Sequence, residues 1–293
     1  MVDILNNSFI LLFVLPFFGT ILLTGLIWRL GREDSGIALA NASVGASFAW
    51  VTALVLGTPA FPPAFNSSAI LSATVALLII GIILDLCLTA ETKFGRLIET
   101  GAIILSAIGA VAWMQSGIDM WSILILIGWG VTIFNLQRMG TRATPAGGPT
   151  RGYGSNWASL LLVLASVGLG FIAWISDIIV DRDLAFGLAA SSLGFYVWNW
   201  PQPRLFFGRS ILLAGGGGML MIALRLLEQA PPLAPAIILL GFIFFIDSAL
   251  RNLPPRFDTI LKFSPSLTII VLAAIPLLLT TIATVIAIEI QIN

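Results

Sequence analysis

Gly194–Ser210 reads GFYVWNWPQPRLFFGRS and joins two long apolar runs. Its first half is aromatic and uncharged. Pro201 and Pro203 interrupt the chain, Arg204 and Arg209 bring two cations, and Gly208 precedes the next apolar segment. A membrane hairpin needs this kind of connection: indoles at headgroup level, prolines where a helix stops, arginines anchoring the loop. The rest of the chain agrees. Of 293 residues, 58% are hydrophobic and 10% charged, and the mean hydropathy is +1.05. A soluble domain of this length needs far more polar surface, so the composition excludes one. Hydrocarbon offers backbone groups no partner, which leaves helices or a closed barrel. Unbroken apolar runs, in place of ten-residue alternation, select helices.

Working outward from that loop, hydropathy predicts ten spans at 8–28, 36–57, 69–89, 96–115, 119–136, 157–175, 184–200, 209–227, 233–250 and 265–288. Ser8–Trp28 lacks a basic lead-in and a small-residue cleavage site, so it is expected to be a retained span. The connections alternate in charge. Arg29 and Arg32, Lys93 and Arg96, Arg138, Arg142 and Arg151, Arg204 and Arg209, and Arg251, Arg256 and Lys262 all fall in odd-numbered connections. These are 12 of the 14 basic residues, and only Arg182 and Arg225 lie on the other side. Acidic residues divide seven and seven, giving roughly +5 on one side and −5 on the other. Lys and Arg accumulate in cytoplasmic loops, so the odd connections are expected in the cytoplasm and both termini outside. The expected fold class is therefore all-α, one polytopic transmembrane domain over residues 1–293.

There is no histidine, and Cys87 is the one cysteine. That removes the commonest general base, the commonest soft-metal ligand and any internal disulfide. Ionisable groups within spans are costly and tend to be functional, which singles out Asp85, Glu99, Asp247 and Arg225. Each lies near a span end, so chemistry or binding at the interface is favoured over a midplane transport site. The run Gly215–Gly218 follows no strand and lacks a closing Gly-Lys-Ser/Thr, so it is no phosphate loop. It is expected to let neighbouring helices approach closely. Most tryptophans fall at span ends, whereas Trp129 lies deeper.

Five stretches resemble the polyprenyl-phosphate N-acetylhexosamine-1-phosphate transferases, membrane enzymes that move a sugar-1-phosphate from a UDP-sugar to a lipid phosphate. They are Leu22–Asp34, GIILDLCL at Gly81–Leu88, GWGVTIFNLQRMG at Gly128–Gly140, the Gly194–Ser210 loop, and FFIDSALRNL at Phe244–Leu253. Trp129, Asn135, Trp198, Asn199, Pro201, Gly208, Asp247 and Arg251 match the family pattern. The resemblance implies ten helices with an active site built from cytoplasmic connections, Mg²⁺ as the cofactor, and a role in cell-wall or lipid-linked sugar synthesis. It also implies departures. Leu84 replaces the first residue of an aspartate pair, with Asp85 as the remnant carboxylate. Arg138 and Arg209 each stand where the family carries aspartate. The histidine motif and a first-loop segment are absent.

Phosphoryl transfer between anions needs its charge neutralised, usually by Mg²⁺ on carboxylates. One surviving carboxylate beside two arginines fits that poorly. The expectation is thus a catalytically impaired relative, with Asp85 and more weakly Asp247 as catalytic remnants and no protein metal site. Asn135, Arg138, Asn199, Arg204 and Arg209 become the candidate phosphate-binding set, since an arginine fork holds phosphate oxygens without metal. The simpler account of those arginines is topological anchoring. Two other readings are a divergent active transferase using Mg²⁺, and an unrelated membrane transport protein. Expected partners are the bilayer, polyprenyl phosphate and UDP-sugar, not nucleic acid. A homodimer or a partner subunit is compatible with each.

Overall fold

A computed structural model describes residues 9–31, 36, 39–57, 69–87, 100–106, 108–109, 112, 120–140, 154–201, 204–251 and 265–292. The described residues are 92% helical, with no strand among them. A π turn at Ile10–Val14 leads into α1 (Leu15–Leu30), followed by α2 (Ala42–Leu56), α3 (Ile70–Cys87) and α4 (Met120–Gly140). Then come α5 (Gly154–Ile175), α6 (Ile179–Trp198) and α7, which runs unbroken over Arg209–Gln229. A 3₁₀ turn at Pro231–Leu233 opens α8 (Ala234–Gly241), a second at Phe242–Phe245 leads to α9 (Ile246–Arg251), and α10 is Pro265–Ile292. Residues 100–106 are also helical.

Five of these stretches, Ile10–Leu30, Ile70–Cys87, Asn156–Ile175, Arg209–Gln229 and Ser266–Ile290, are long and apolar enough to cross a membrane. They differ in depth within the bundle. Over its most apolar 18 residues α7 is 94% buried, against 22% in the same window of the first and last of the five, so α7 is the axis and α1 and α10 are exposed outer walls. The exposed faces of α1 and α10 are mostly Leu, Ile, Val and Phe, as a bilayer requires of a surface. Several hydroxyls inside the bundle bond to the preceding turn: Thr20 donates to the Pro16 carbonyl at 2.8 Å, Thr52 to Phe48 at 2.8 Å and Ser191 to Gly187 at 2.9 Å.

The glycine run behaves as the sequence suggests. A Cβ on Gly217 would stand 2.5 Å from Leu77 of α3, and one on Gly218 would stand 2.4 Å from the Phe48 ring of α2. Two departures appear. Residues Leu212–Gly216 of α7 form a π turn, so the axis helix carries one extra residue. The segment expected as a span at 233–250 stays helical but tightens to a 3₁₀ turn at Phe242–Phe245.

Candidate functional site

Asp85 ends α3 beside the start of α7, 124 residues away in sequence. Its Oδ1 accepts the Arg209 backbone N–H at 2.8 Å. Its Oδ2 accepts the Ser210 N–H at 3.0 Å and the Ser210 hydroxyl at 2.8 Å. The first N–H groups of a helix have no partner within it, and a carboxylate is their natural acceptor. Here the cap comes from a different helix, so one side chain both closes α7 and fastens it to α3. The Arg209 guanidinium lies over this junction, Nη1 standing 3.7 Å from Asp85 Oδ1 and 3.5 Å from the Leu84 carbonyl.

Two glycines make the contact reachable. A Cβ on Gly81 would fall 2.5 Å from the Ser210 Cα, and one on Gly208 would fall 2.3 Å from Asn41 Nδ2 and 2.8 Å from Asp85 Oδ2. Asn41, just ahead of α2, is fully buried, and its amide has no hydrogen-bond partner among the described residues. The sequence marked Gly208 as a match but gave no sign of Asn41 or Ser210, which are ordinary polar residues until the fold places them beside Asp85.

The loop ahead of α7 is organised from within. Asn199 is buried, and its Oδ1 accepts the N–H groups of Arg204 at 3.0 Å and Leu205 at 2.8 Å. Asn156 donates to the Asn199 carbonyl at 2.8 Å, joining the loop to α5. Leu205 and Phe207 are buried beneath it, the Trp200–Pro201 peptide is cis, and the Arg204 side chain is exposed. Asn199 therefore shapes the loop, whose exposed side chains include Trp200, Arg204 and Phe206, while Arg209 is half-buried against Asp85.

Of the other candidates, Asn135 is half-buried on α4. Arg138 and Asp247 lie on α4 and α9, but their side chains fall outside the described residues, as do Arg142 and Glu99 altogether. Among the described residues no three His, Cys, Asp or Glu side chains converge as metal ligands would. Arg225 is far from this junction, sixteen residues along α7 or about 24 Å by helical rise. Its Nε stands 2.8 Å from Asp181 Oδ1, and Gln229 donates to Asp181 Oδ2 at 2.7 Å. Asp181 is fully buried and went unremarked in the sequence, although a cation within a span implies a partner.

Between the two ends lies an apolar groove of about 300 Å³, open to the side of the bundle. Trp129 and Thr132 of α4, Met219 and Ala223 of α7, and Phe242 and Phe245 of the 3₁₀ turn line it. The Trp129 indole N–H donates to the Gly216 carbonyl at 2.9 Å, at the end of the π turn.

A central helix capped from a neighbouring span, exposed outer walls and a lateral apolar groove define a helical membrane protein. No family model and no curated protein matches the chain.

Proposed function

We propose that this is a ten-span inner-membrane protein, with both termini outside and Arg204 and Arg209 at the cytoplasmic face. There it binds polyprenyl phosphate without transferring a sugar phosphate to it. It is read as a member of the sugar-1-phosphate transferase group that has kept the scaffold and lost the reaction. The observation that carries this reading is the state of Asp85. Both oxygens of the one remaining carboxylate are taken by three donors at the start of α7. A carboxylate so committed is poorly placed to hold Mg²⁺ or take a proton, and the charge presented beside it is the guanidinium of Arg209. Arginine binds phosphate oxygens through paired N–H groups and needs no metal to do so. The groove supports a lipid ligand. Arg209 and Met219 lie ten residues apart on α7, about 15 Å by helical rise, so a phosphate at the first leaves its tail within reach of the second.

The test is binding of undecaprenyl phosphate to the purified protein in nanodiscs, with and without EDTA, alongside UMP release from UDP-sugars with and without Mg²⁺. Binding is expected to ignore chelation, to weaken in an Arg138→Ala/Arg209→Ala double variant, and to proceed with no UMP. Loss of binding on chelation overturns the metal-free reading. Mg²⁺-dependent UMP release replaces it with a divergent active transferase.

A further inference from the structure

We propose that Trp129 is a positioning residue that ties the apolar groove to the π turn of α7, so that one hydrogen bond sets both the groove wall and the Arg209 turn. This rests on the lipid-phosphate reading above and goes beyond it by naming the device that joins head and tail. Trp129 is buried, with its ring in the groove lining and its N–H 2.9 Å from the Gly216 carbonyl. Gly216 closes the π turn Leu212–Gly216, and that turn follows directly on Arg209–Ile211. The Arg209 and Ser210 N–H groups must point at Asp85, while Met219 and Ala223, on the far side of the same turn, must point into the groove. The turn is therefore the only covalent link between the two sites on α7, and Trp129 is the side chain that both braces it and faces the groove.

The chemistry of the turn fits this role. A π turn is a single-residue insertion whose backbone bonds are less well matched than those of an α turn, and such turns recur at functional positions. An indole is rigid, apolar on its faces and polar at one edge, so it forms a hydrocarbon wall while its N–H stays fixed to the carbonyl. A prenyl tail packed on the Trp129 ring presses against the group that holds Gly216. Loss of the N–H frees the ring and the turn together, and the phase of Arg209 relative to the groove is then no longer fixed.

The experiment uses the full chain in nanodiscs and two probes, undecaprenyl phosphate and dimethylallyl phosphate, whose single isoprene unit is too short to reach the groove from Arg209. The first variant is Trp129→Phe, which keeps a ring and removes the donor. It is expected to bind undecaprenyl phosphate about tenfold more weakly, the effect of one lost hydrogen bond, with dimethylallyl phosphate binding unchanged. Amide hydrogen exchange over 209–216 is expected to quicken in this variant, and in the wild type to slow with the long probe and not the short one. Ala223→Leu narrows the groove from another lining position and removes no atom of the Trp129 bond. It is expected to lose the long probe selectively, which keeps the idea testable if Trp129→Phe does not fold. Equal loss of both probes in Trp129→Phe, or unchanged exchange over 209–216, overturns the proposal. If the wild type binds neither probe, the lipid-phosphate reading fails, and the exchange result in Trp129→Phe still decides whether Trp129 controls the turn.

Discussion

Removing the Asp85 carboxyl tests the junction most directly. Asp85→Ala leaves the N–H groups of Arg209 and Ser210 and the Ser210 hydroxyl without their acceptor, in a place where Ser210 is fully buried. A hydrogen bond to a charged group contributes about 1.5–3 kcal/mol, and a buried donor left unmatched costs about 1–3 kcal/mol. The three bonds share one carboxylate and do not add independently, so the expected loss is about 4 kcal/mol. Ser210→Ala removes only the hydroxyl bond and should cost about 1–2 kcal/mol. Asp85→Asn keeps one acceptor oxygen and should fall between the two. Equilibrium unfolding in mixed micelles, followed by helical circular dichroism, reads all three. In the Asp85→Ala/Ser210→Ala double variant the costs should overlap, leaving a coupling of at least about 1 kcal/mol. A purely catalytic remnant would behave differently, since its removal would leave stability within about 0.5 kcal/mol of wild type, as substitutions away from structural features do. That result would refute the assignment of Asp85 as the cap of α7.

Three further outcomes follow from the packing. Gly81→Val should destabilise severely, because its Cβ would sit 2.5 Å from the Ser210 Cα and backbone cannot yield, whereas Gly130→Ala, with nothing within 4 Å, should gain about 0.5–1 kcal/mol of helix stability in the same unfolding assay. Arg225→Leu strands a buried Asp181 and should cost about 3–5 kcal/mol, while Asp181→Leu/Arg225→Leu should recover most of that loss. Deleting Gly215 should convert the π turn to an α turn and leave a folded protein on size exclusion, whereas deleting Ala223 rotates Arg225 and Gln229 off Asp181 by about 100° and should not.

The spans were the most legible part of the chain. Hydropathy placed segments at 69–89, 209–227 and 265–288, and helices stand at Ile70–Cys87, Arg209–Gln229 and Pro265–Ile292. That works because the signal is additive along the sequence and owes nothing to neighbours. Asp85 was legible as a cost, a carboxyl at a span end. Its partners were not, because Arg209 and Ser210 are brought to it by tertiary packing through Gly81 and Gly208. Trp129 likewise stood out by depth, yet its acceptor is a backbone carbonyl, and no residue type at position 216 announces a carbonyl. Asn199 is a candidate ligand in the sequence because it matches the loop pattern of the family that the chain resembles, but the two N–H groups it accepts come together only once the loop has turned.

The phase of α7 shows why the remainder could not be read. Between its polar ends α7 is apolar throughout, from Ile211 to Leu224, and such a stretch has no stripe to reveal which side faces which neighbour. The phase of α7 is set instead from its two ends, by Asp85 on Arg209 and Ser210 and by Asp181 on Arg225 and Gln229. Two anchors on a rigid rod need not agree in rotation. A π turn supplies an extra residue, and glycines let its surroundings close in: Gly215 passes close to Leu162 of α5, Gly217 to Leu77 of α3 and Gly218 to Phe48 of α2. The glycine run therefore encodes permission for the mismatch, while the mismatch itself is encoded by two aspartates nearly a hundred residues apart. Trp129 then holds the turn where the two phases meet, which places the point of least helical regularity in α7 against the groove.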